Sequence, residues 1–224
     1  MSEWIAKYNM KTYAVYVSGK ATRIRKAILK YNELANAIKC VISDEAFDIE
    51  LQDFFSLYNI AYYAFDYNGK EKNTDRNLLL SDFILHVFNE EQIDYGFSFG
   101  GHILKGKLLV QYQNHLINFH PGILPDVAGL NAIDKALQEK KKYIGNTVHF
   151  IDAGVDTGPI IMQNIMLAEN FEIYGYDIFL DEQIDLIWKT YKLIESNRIQ
   201  MIDGRVRIDD ADYCASNIYP EFRV

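Results

Sequence analysis

The sequence is poor in cysteine and in long apolar runs, and each shortage excludes a class of protein. Its only two cysteines, Cys40 and Cys214, make no disulfide framework and fit no metal-binding spacing. The five histidines show no HExxH or other clustered ligand pattern, so we expect no metal site. No apolar run approaches the roughly 20 residues that a membrane-spanning helix needs. The first residues also lack an apolar stretch of signal-peptide length, so we expect a cytoplasmic protein that does not act at a membrane.

Basic residues are also in short supply. The chain has 23 Lys and Arg against 31 Asp and Glu, a net charge of −8. This balance argues against a nucleic-acid partner, but it permits a local basic pocket for a small anion. A content of 49% hydrophobic and 24% charged residues is typical of a globular protein. The length of 224 residues predicts one domain, or one domain with a small appendage.

Short apolar runs alternate with helical patterns along the first half of the chain. The runs predicted as strands are residues 12–19, 38–44, 59–66, 93–100 and 115–120. Helices are predicted over 22–37 and 75–91. The buried face of the second predicted helix is formed by Leu79, Phe83, Val87 and Phe88. This alternation predicts an α/β fold, a mostly parallel twisted sheet with helices on both faces.

The pattern changes after Gly145. Two apolar runs joined by a short loop of Gly and Asp predict an antiparallel edge of the sheet; they are residues 146–152 and 159–167. A helix with an apolar stripe is predicted over about 176–195. The pair Asp203-Gly204 then predicts the two-residue turn of a C-terminal hairpin.

Polar residues and glycines gather where three of the predicted strands end. They are Ser18-Gly19, residues 99–102 and residues 118–120. Open α/β sheets bind ligands beyond the carboxyl ends of their strands, so these segments predict a binding crevice. Asn118 and His120 occupy positions i and i+2 of a strand and therefore project from the same face.

Asn118 and His120 suit the chemistry of a carbonyl under attack. The amide can donate to an oxygen that gains negative charge, and the imidazole can donate to the same oxygen or accept a proton. Pro121 restricts the backbone directly behind them. Asp156, in the Gly and Asp loop, could orient the imidazole and hold a proton. Each residue also fits a purely structural role, as a strand-end polar group or a turn residue.

Two segments together closely resemble the formyltransferases that use 10-formyltetrahydrofolate. They read NFHPGILPDVAG, residues 118–129, and GNTVHFIDAGVDTGPIIMQ, residues 145–163. A weaker likeness extends over residues 13–104. The resemblance implies a Rossmann-like formyltransferase fold, with a catalytic domain over residues 1–196 and a hairpin and tail, residues 197–224, packed on it. It also implies 10-formyltetrahydrofolate as the co-substrate.

The resemblance assigns roles to individual residues. It implies a catalytic trio of Asn118, His120 and Asp156, supported by Thr147 and His149. The residues implied to bind the co-substrate are Phe99, Gly100, Gly101, His102, Ile103, Leu104, Asp152, Ala153, Gly154 and Val155. Those expected to bind the acceptor are Ser18, Gly19, Lys20, Arg23, Pro121 and Gly122. By the same resemblance, the acceptor amine attacks the formyl carbon directly and forms a tetrahedral oxyanion.

The acceptor is less clearly indicated. Family members that act on glycinamide ribonucleotide carry Gly-x-Gly-Ser-Asn after the first strand, where this chain has Ala21, Thr22 and Arg23 in the last three places. Residues 95–104 look closer to sugar N-formyltransferases and to the formylation domain of a peptide synthetase. We therefore expect an amino-sugar acceptor, activated or nucleotide-linked, used in surface glycan synthesis. The alternatives are phosphoribosylglycinamide or a non-catalytic folate- or nucleotide-binding module, and the C-terminal helix or hairpin could supply a homodimer face.

Overall fold

A seven-stranded sheet lies at the centre of the structure, a computed structural model that describes residues 10–214. The strands are β1 (Tyr13–Val17), β2 (Ile38–Ser43), β3 (Ala61–Ala64), β4 (Tyr95–Phe99), β5 (Leu116–His120), β6 (Tyr143–Phe150) and β7 (Ile160–Leu167). Their order across the sheet is β3-β2-β1-β4-β5-β6-β7. Strands β1 to β5 pair in parallel, whereas β6 pairs antiparallel with β5 and with β7. The predicted parallel sheet with an antiparallel edge is confirmed.

Helices cover both faces of this sheet. They are α1 (Thr22–Lys30), α2 (Asn32–Ala37), α3 (Ile49–Ser56), α4 (Arg76–Glu90), α5 (Lys107–Gln111), α6 (Ala132–Gln138), α7 (Ala168–Tyr174) and α8 (Tyr176–Glu195). Apolar side chains of α1, α3 and α8 pack with one face of the sheet, and those of α4 and α5 pack with the other. Because β1 is covered on both faces, all of its residues are buried. The predicted α/β fold is confirmed.

Two details of the predicted helices are wrong. The helix predicted over 22–37 is divided at Tyr31, whose φ of −129° and ψ of 85° are not helical. Leu79 does not belong to the buried face of α4, because 42% of this residue is exposed. The buried face includes Leu80, Ile84 and Val87, at the i, i+4, i+7 spacing of one helical face.

The C-terminal hairpin forms where the turn signal placed it. Strands β8 (Ile199–Ile202) and β9 (Arg205–Ile208) pair antiparallel around Asp203 and Gly204, both with positive φ. Apolar side chains of both strands pack against the part of the core to which α8 contributes. The division into residues 1–196 and 197–224 stays a prediction, and residues 1–9 and 215–224 lie outside the part that the structure describes. Within that part, no helix is long and apolar enough to cross a membrane.

The order of the strands creates a crevice beside β1. The chain runs from β1 to β2 and β3 on one side and then returns to place β4 against the other side of β1. At such a switch point the connections leave neighbouring strands in opposite directions, and a crevice opens beyond their carboxyl ends. The segments that follow β1, β4 and β5 meet there.

Candidate active site

A cavity of about 800 Å³ opens beyond the carboxyl ends of β1, β4 and β5. The structure brings most of the predicted site residues together in its wall. These are Ser18, Arg23, Phe99, Gly100, Gly101, His102, Ile103, Leu104, Asn118, His120, Pro121, His149, Asp152, Gly154, Val155 and Asp156. Residues far apart along the chain therefore share one site, as the strand-end pattern predicted.

The other predicted site residues lie outside this wall. Lys20 lines a second pocket, of about 220 Å³, at the start of α1. Gly122 faces a narrow gap between the turn after β5 and α6. Gly19 and Ala153 are not among the residues that line these three spaces. Thr147 is fully buried behind the site.

Asn118 connects the two motifs through its amide nitrogen. Nδ2 lies 3.4 Å from Oδ1 of Asp156 and 3.2 Å from Nε2 of His149. A carboxylate only accepts hydrogen bonds, so the NH2 group of Asn118, and not its oxygen, faces Asp156. Nδ1 of His149 donates to the carbonyl of Phe150 at 2.9 Å, so in the neutral ring Nε2 accepts from Asn118. The same Nε2 lies 3.6 Å from Oδ1 of Asp156.

His120 is buried, and both nitrogens of its ring have a neighbour. Nε2 lies 2.7 Å from the carbonyl oxygen of Val127. Since a carbonyl only accepts, Nε2 carries a proton. Nδ1 lies 3.4 Å from Oδ2 of Asp156. In the neutral ring Nδ1 therefore holds the lone pair, and a proton that arrives there lies between imidazole and carboxylate.

Burial and charge set the protonation of this pair. Burial lowers the pKa of His120 below its ordinary 6.5, against the carbonyl of Val127 and the carboxylate of Asp156, which raise it. The pKa of Asp156 falls from 3.8 to about 2, chiefly through the His149 side chain, against the opposing effect of burial. The N–H of Gly129, which donates to Oδ2 at 2.8 Å, lowers it further. At neutral pH a neutral imidazole therefore faces an anionic carboxylate.

Thr147 holds the turn that follows β5. Its hydroxyl donates to the carbonyl of Gly122 at 2.7 Å and accepts from the N–H of Leu124 at 3.0 Å. Nε2 of Gln163 donates to the same hydroxyl at 2.8 Å and to the carbonyl of Leu124 at 2.9 Å. These bonds connect β6 and β7 to the backbone behind the predicted catalytic trio. The role of Thr147 as a support stays a prediction, and this geometry is consistent with it.

The loop between β6 and β7 is tightly folded around Asp156. Asp152 accepts from the N–H of Gly154 at 3.0 Å and from the hydroxyl of Thr157 at 2.8 Å. Asp156 itself has a φ of 55°, which is unfavourable for a residue with a side chain. At Gly158 a Cβ would lie 1.8 Å from the carbonyl oxygen of Phe150, so only glycine lets the loop approach β6 this closely. The loop thus holds its carboxylate in one place.

Several residues near the cavity were missed by sequence reasoning. Tyr67, Asn77 and Tyr176 line its wall. Asp44 lies just behind the wall, where its carboxylate accepts from the hydroxyl of Tyr16 at 2.7 Å. Its position as the last residue of a predicted strand was the available signal, because the other site segments also lie where predicted strands end. Nothing in the patterns around the other three residues indicated the cavity.

The cavity suits a folate co-substrate in size and wall chemistry. A volume of 800 Å³ lies within the range of about 300–1,000 Å³ that is usual for small-molecule sites. Ile103, Leu104 and Val155 supply apolar wall beside the polar side chains of Asn118, His120 and Asp156. A Cβ at Gly100 would lie 1.9 Å from the ring of Tyr16, so glycine keeps this part of the wall flat against β1.

The chain is similar to known proteins in sequence and in structure. Residues 11–170, more than half of its length, match the family model described as formyl transferase. The chain belongs to the formyl transferase family. Phosphoribosylglycinamide formyltransferase of Bacillus subtilis is 29% identical over 159 residues, or 69% of this chain and 78% of that protein. The enzyme of the same name from Haemophilus influenzae is 30% identical over 163 residues, or 69% and 72%.

A solved structure agrees over nearly the whole fold. The crystal structure of phosphoribosylglycinamide formyltransferase from Anaplasma phagocytophilum covers 90% of this chain and 96% of its own, with 29% identity and a TM-score of 0.75. Membership of the formyl transferase family confirms the predicted enzyme class, a formyltransferase that uses 10-formyltetrahydrofolate. The alternative of a non-catalytic binding module is therefore dropped.

The predicted amino-sugar acceptor is wrong. The formyl transferases that match most of this chain are phosphoribosylglycinamide formyltransferases, in sequence and in structure. The prediction gave too much weight to side chains at Ala21, Thr22 and Arg23. A loop that binds an anion with backbone N–H groups depends on its conformation, which can persist when the side chains change.

Proposed function

We propose that this formyl transferase transfers the formyl group of 10-formyltetrahydrofolate to the amine of phosphoribosylglycinamide. The observation that carries the proposal is the second pocket, which adjoins the main cavity and shares Ser18, Arg23, Phe99 and Tyr176 with it. An acceptor with a phosphate at one end and an amine at the other can span both spaces. Its phosphate then occupies the smaller pocket, and its amine reaches the catalytic trio.

The smaller pocket has the properties of a phosphate site. It is lined by Lys20, by Arg23 and by the start of α1. Helix α1 begins without a side-chain cap and without an acidic residue in its first turn. Its first backbone N–H groups therefore lack helical acceptors, and the positive end of the helix dipole attracts an anion. Since Lys20 is paired with Asp48 at 2.8 Å, Arg23 and the start of the helix supply the positive charge of the pocket.

The backbone before α1 supports the same assignment. Gly19 has a φ of 63°, and Ala21 has a φ of 53° and a ψ of 30°, both left-handed. A residue with a Cβ pays about 1–2 kcal/mol for this conformation, which glycine adopts freely. Ala21 therefore keeps a backbone conformation that favours glycine, although its side chain differs from the family pattern. Unfavourable backbone of this kind is concentrated at functional sites.

Asn118 is placed to stabilise developing negative charge. When bound, 10-formyltetrahydrofolate supplies an activated formyl group to the cavity. The contact of Nδ2 with Asp156, at 3.4 Å, is longer than its contact with His149, at 3.2 Å. The amide gives up this longer hydrogen bond to Asp156 and donates instead to the oxygen of the formyl group in the cavity. A donor aimed at an oxyanion contributes about 3 kcal/mol to transition-state stabilisation.

His120 and Asp156 handle the proton that the acceptor amine loses. Neutral His120 accepts this proton at Nδ1, where Oδ2 of Asp156 lies 3.4 Å away. The imidazolium then has two acceptors, because Nε2–H already faces the carbonyl of Val127. The low pKa of Asp156, about 2, keeps the carboxylate charged while the imidazole carries the proton. The pair can therefore hold the proton and pass it to the folate nitrogen that leaves when its bond to the formyl carbon breaks, without a covalent enzyme intermediate.

The acceptor is tested by product analysis. The purified protein is incubated with 10-formyltetrahydrofolate and either phosphoribosylglycinamide or a nucleotide-linked amino sugar, and the products are identified by mass spectrometry. We expect formylated phosphoribosylglycinamide and no formylated sugar. Formylation of the sugar alone would overturn the proposed acceptor and leave the formyltransferase class intact.

The phosphate pocket is tested by a matched pair of variants on α1. Arg23→Ala should raise the KM for phosphoribosylglycinamide about tenfold, because a charge-assisted contact with the phosphate is lost. Lys26→Ala removes the same charge from an exposed position on the same helix, where Lys26 faces Asp177. It should leave this KM unchanged. Equal effects of the two variants would contradict a phosphate site beside Arg23.

A further inference from the structure

A buried carboxylate beside the cavity, Asp44, takes no part in the catalytic trio. It directly follows β2, and only 2% of the residue is exposed. Its Oδ2 accepts from the hydroxyls of Tyr16 and Ser18. Oδ1 has no hydrogen-bond partner within residues 10–214. A buried carboxylate with an oxygen left unpaired is unfavourable, so its presence here requires an explanation.

Asp44 is connected to the cavity wall at two points. The Ser18 hydroxyl, which donates to Asp44, accepts from the N–H of Gly101 at 2.7 Å. Nε2 of His102 lies 3.7 Å from Oδ2 of Asp44. Ser18, Gly101 and His102 all line the cavity, whereas Asp44 is not among its lining residues. The carboxylate therefore lies behind the wall, where it reaches Gly101 through the Ser18 hydroxyl and lies directly beside His102.

The ring of His102 has a neighbour on its face, Tyr67, and another at its edge, Asp44. The ring of Tyr67 stacks on it with centroids 3.6 Å apart and planes inclined by 12°. The guanidinium of Arg76 lies 4.5 Å from the centroid of the Tyr67 ring. With Asp44 near Nε2, the imidazole has one defined orientation in the cavity wall. The Ser18 hydroxyl holds the backbone N–H of Gly101, the residue before His102.

We propose that Asp44 is a positioning residue for the formyl donor. Through Ser18 and His102 it fixes the turn of residues 100–102, against which the donor binds. The inference rests on the proposed placement of 10-formyltetrahydrofolate in this cavity, and it does not depend on the identity of the acceptor. A charged acceptor makes hydrogen bonds about twice as strong as a neutral one, so the carboxylate holds the turn more rigidly than an amide could.

The test is Asp44→Asn, with Glu45→Gln as the matched control. Glu45 carries the same charge one residue away but is exposed. The affinity for 5-formyltetrahydrofolate, a folate with no formyl group at the reacting position, is measured by calorimetry. Asp44→Asn should weaken this affinity and raise the KM for 10-formyltetrahydrofolate about tenfold, since the ordered turn is lost. The kcat and the acceptor KM should stay at wild-type values and the Tm should not fall, because the variant removes a buried charge. Every parameter of Glu45→Gln should stay at its wild-type value.

The calorimetric measurement needs no acceptor, so it remains decisive if phosphoribosylglycinamide is not the substrate. Wild-type folate affinity in Asp44→Asn would overturn the inference. A parallel fall in kcat, folate affinity and Tm would also overturn it, because that pattern indicates a general structural role. If Asp44→Asn does not fold, Ser18→Ala leaves the carboxylate in place and breaks its link to Gly101. That variant must then lose folate affinity, and unchanged affinity would overturn the inference.

The route through Ser18 and His102 is tested by a mutant cycle. In a Ser18→Ala, His102→Ala background, Asp44→Asn should have little further effect on the affinity for 5-formyltetrahydrofolate. A full additional loss in that background would show that Asp44 acts by another route, contrary to the inference.

Discussion

The backbone N–H of Gly129 donates to Oδ2 of Asp156 at 2.8 Å, and this bond joins the two halves of the site. The same oxygen lies 3.4 Å from Nδ1 of His120. The carboxylate is thus held by the turn that follows β5 while it faces the imidazole at the end of β5. The two motifs form one structural unit, so a change at residue 156 should affect both stability and turnover.

Asp156→Asn should reduce both the free energy of unfolding and the turnover. The amide keeps the size of the side chain but removes the charge that faces a protonated His120, so kcat should fall about 10²–10⁴-fold. The pKa shift from 3.8 to about 2 corresponds to about 2 kcal/mol of folding stability at neutral pH. Turnover and denaturant unfolding measure the two effects. Asp126→Asn, at an exposed carboxylate paired with Lys141, should change neither by a comparable amount.

The rate should depend on pH through His120. Because burial lowers its pKa below 6.5, the neutral base is present at neutral pH, and kcat/KM should fall only in more acidic solution. Folding stability should also decrease as pH falls below 6.5, since the unfolded chain then binds a proton that the folded chain does not. In Asp156→Asn the carboxylate that raises the pKa of His120 is gone, so the inflection should move to lower pH. An inflection at higher pH in this variant would contradict the assignment of His120 as the base.

The fold could be predicted closely from the sequence where hydrophobic patterns are long and regular. The stripe of the last helix predicted residues 176–195, and α8 has these bounds. The hydrophobic pattern gave a wrong prediction at Tyr31, where non-helical backbone angles separate α1 from α2. It also failed at Leu79, where a run of three leucines left the orientation of the helix undetermined.

The candidate site was predictable where motif residues lie at strand ends. Asn118 and His120 lie within the last three residues of β5, and the resemblance supplied Asp156, which no spacing rule places beside them. The Asp44 network could not be foreseen, because it depends on the order of the strands. Only the sheet shows that β1 separates β2 from β4, so that Ser18 bridges Asp44 and Gly101.

Thr147→Val should destabilise the protein by about 1–3 kcal/mol, because it leaves the buried N–H of Leu124 without its acceptor. The turn behind the catalytic trio would shift, so kcat should fall as well. Thr190→Val is the matched control. Thr190 is equally buried, but its hydroxyl donates to the carbonyl of Leu186, four residues earlier in the same helix. Urea unfolding should show a markedly smaller loss for this control, and equal losses would argue against a special role for Thr147.

Gly100 and Gly101 should respond differently to the same substitution, although they are neighbours in the cavity wall. A Cβ at Gly100 would lie 1.9 Å from the ring of Tyr16, whereas a Cβ at Gly101 would meet nothing closer than Oγ of Ser18, at 3.5 Å. Gly100→Ala should therefore cost about 1–3 kcal/mol, because either the ring or the turn must move. Gly101→Ala should leave stability nearly unchanged, since 3.5 Å is an ordinary contact.

Thermal unfolding of the two alanine variants measures this difference directly. Calorimetric titration with 5-formyltetrahydrofolate then reports whether the displaced turn still binds a folate. For Gly100→Ala we expect a lower Tm together with weaker folate binding, because the same movement that relieves the clash with Tyr16 pushes the wall into the cavity. A stable Gly100→Ala variant with wild-type folate affinity would show that the turn of residues 100–102 is not part of the donor site.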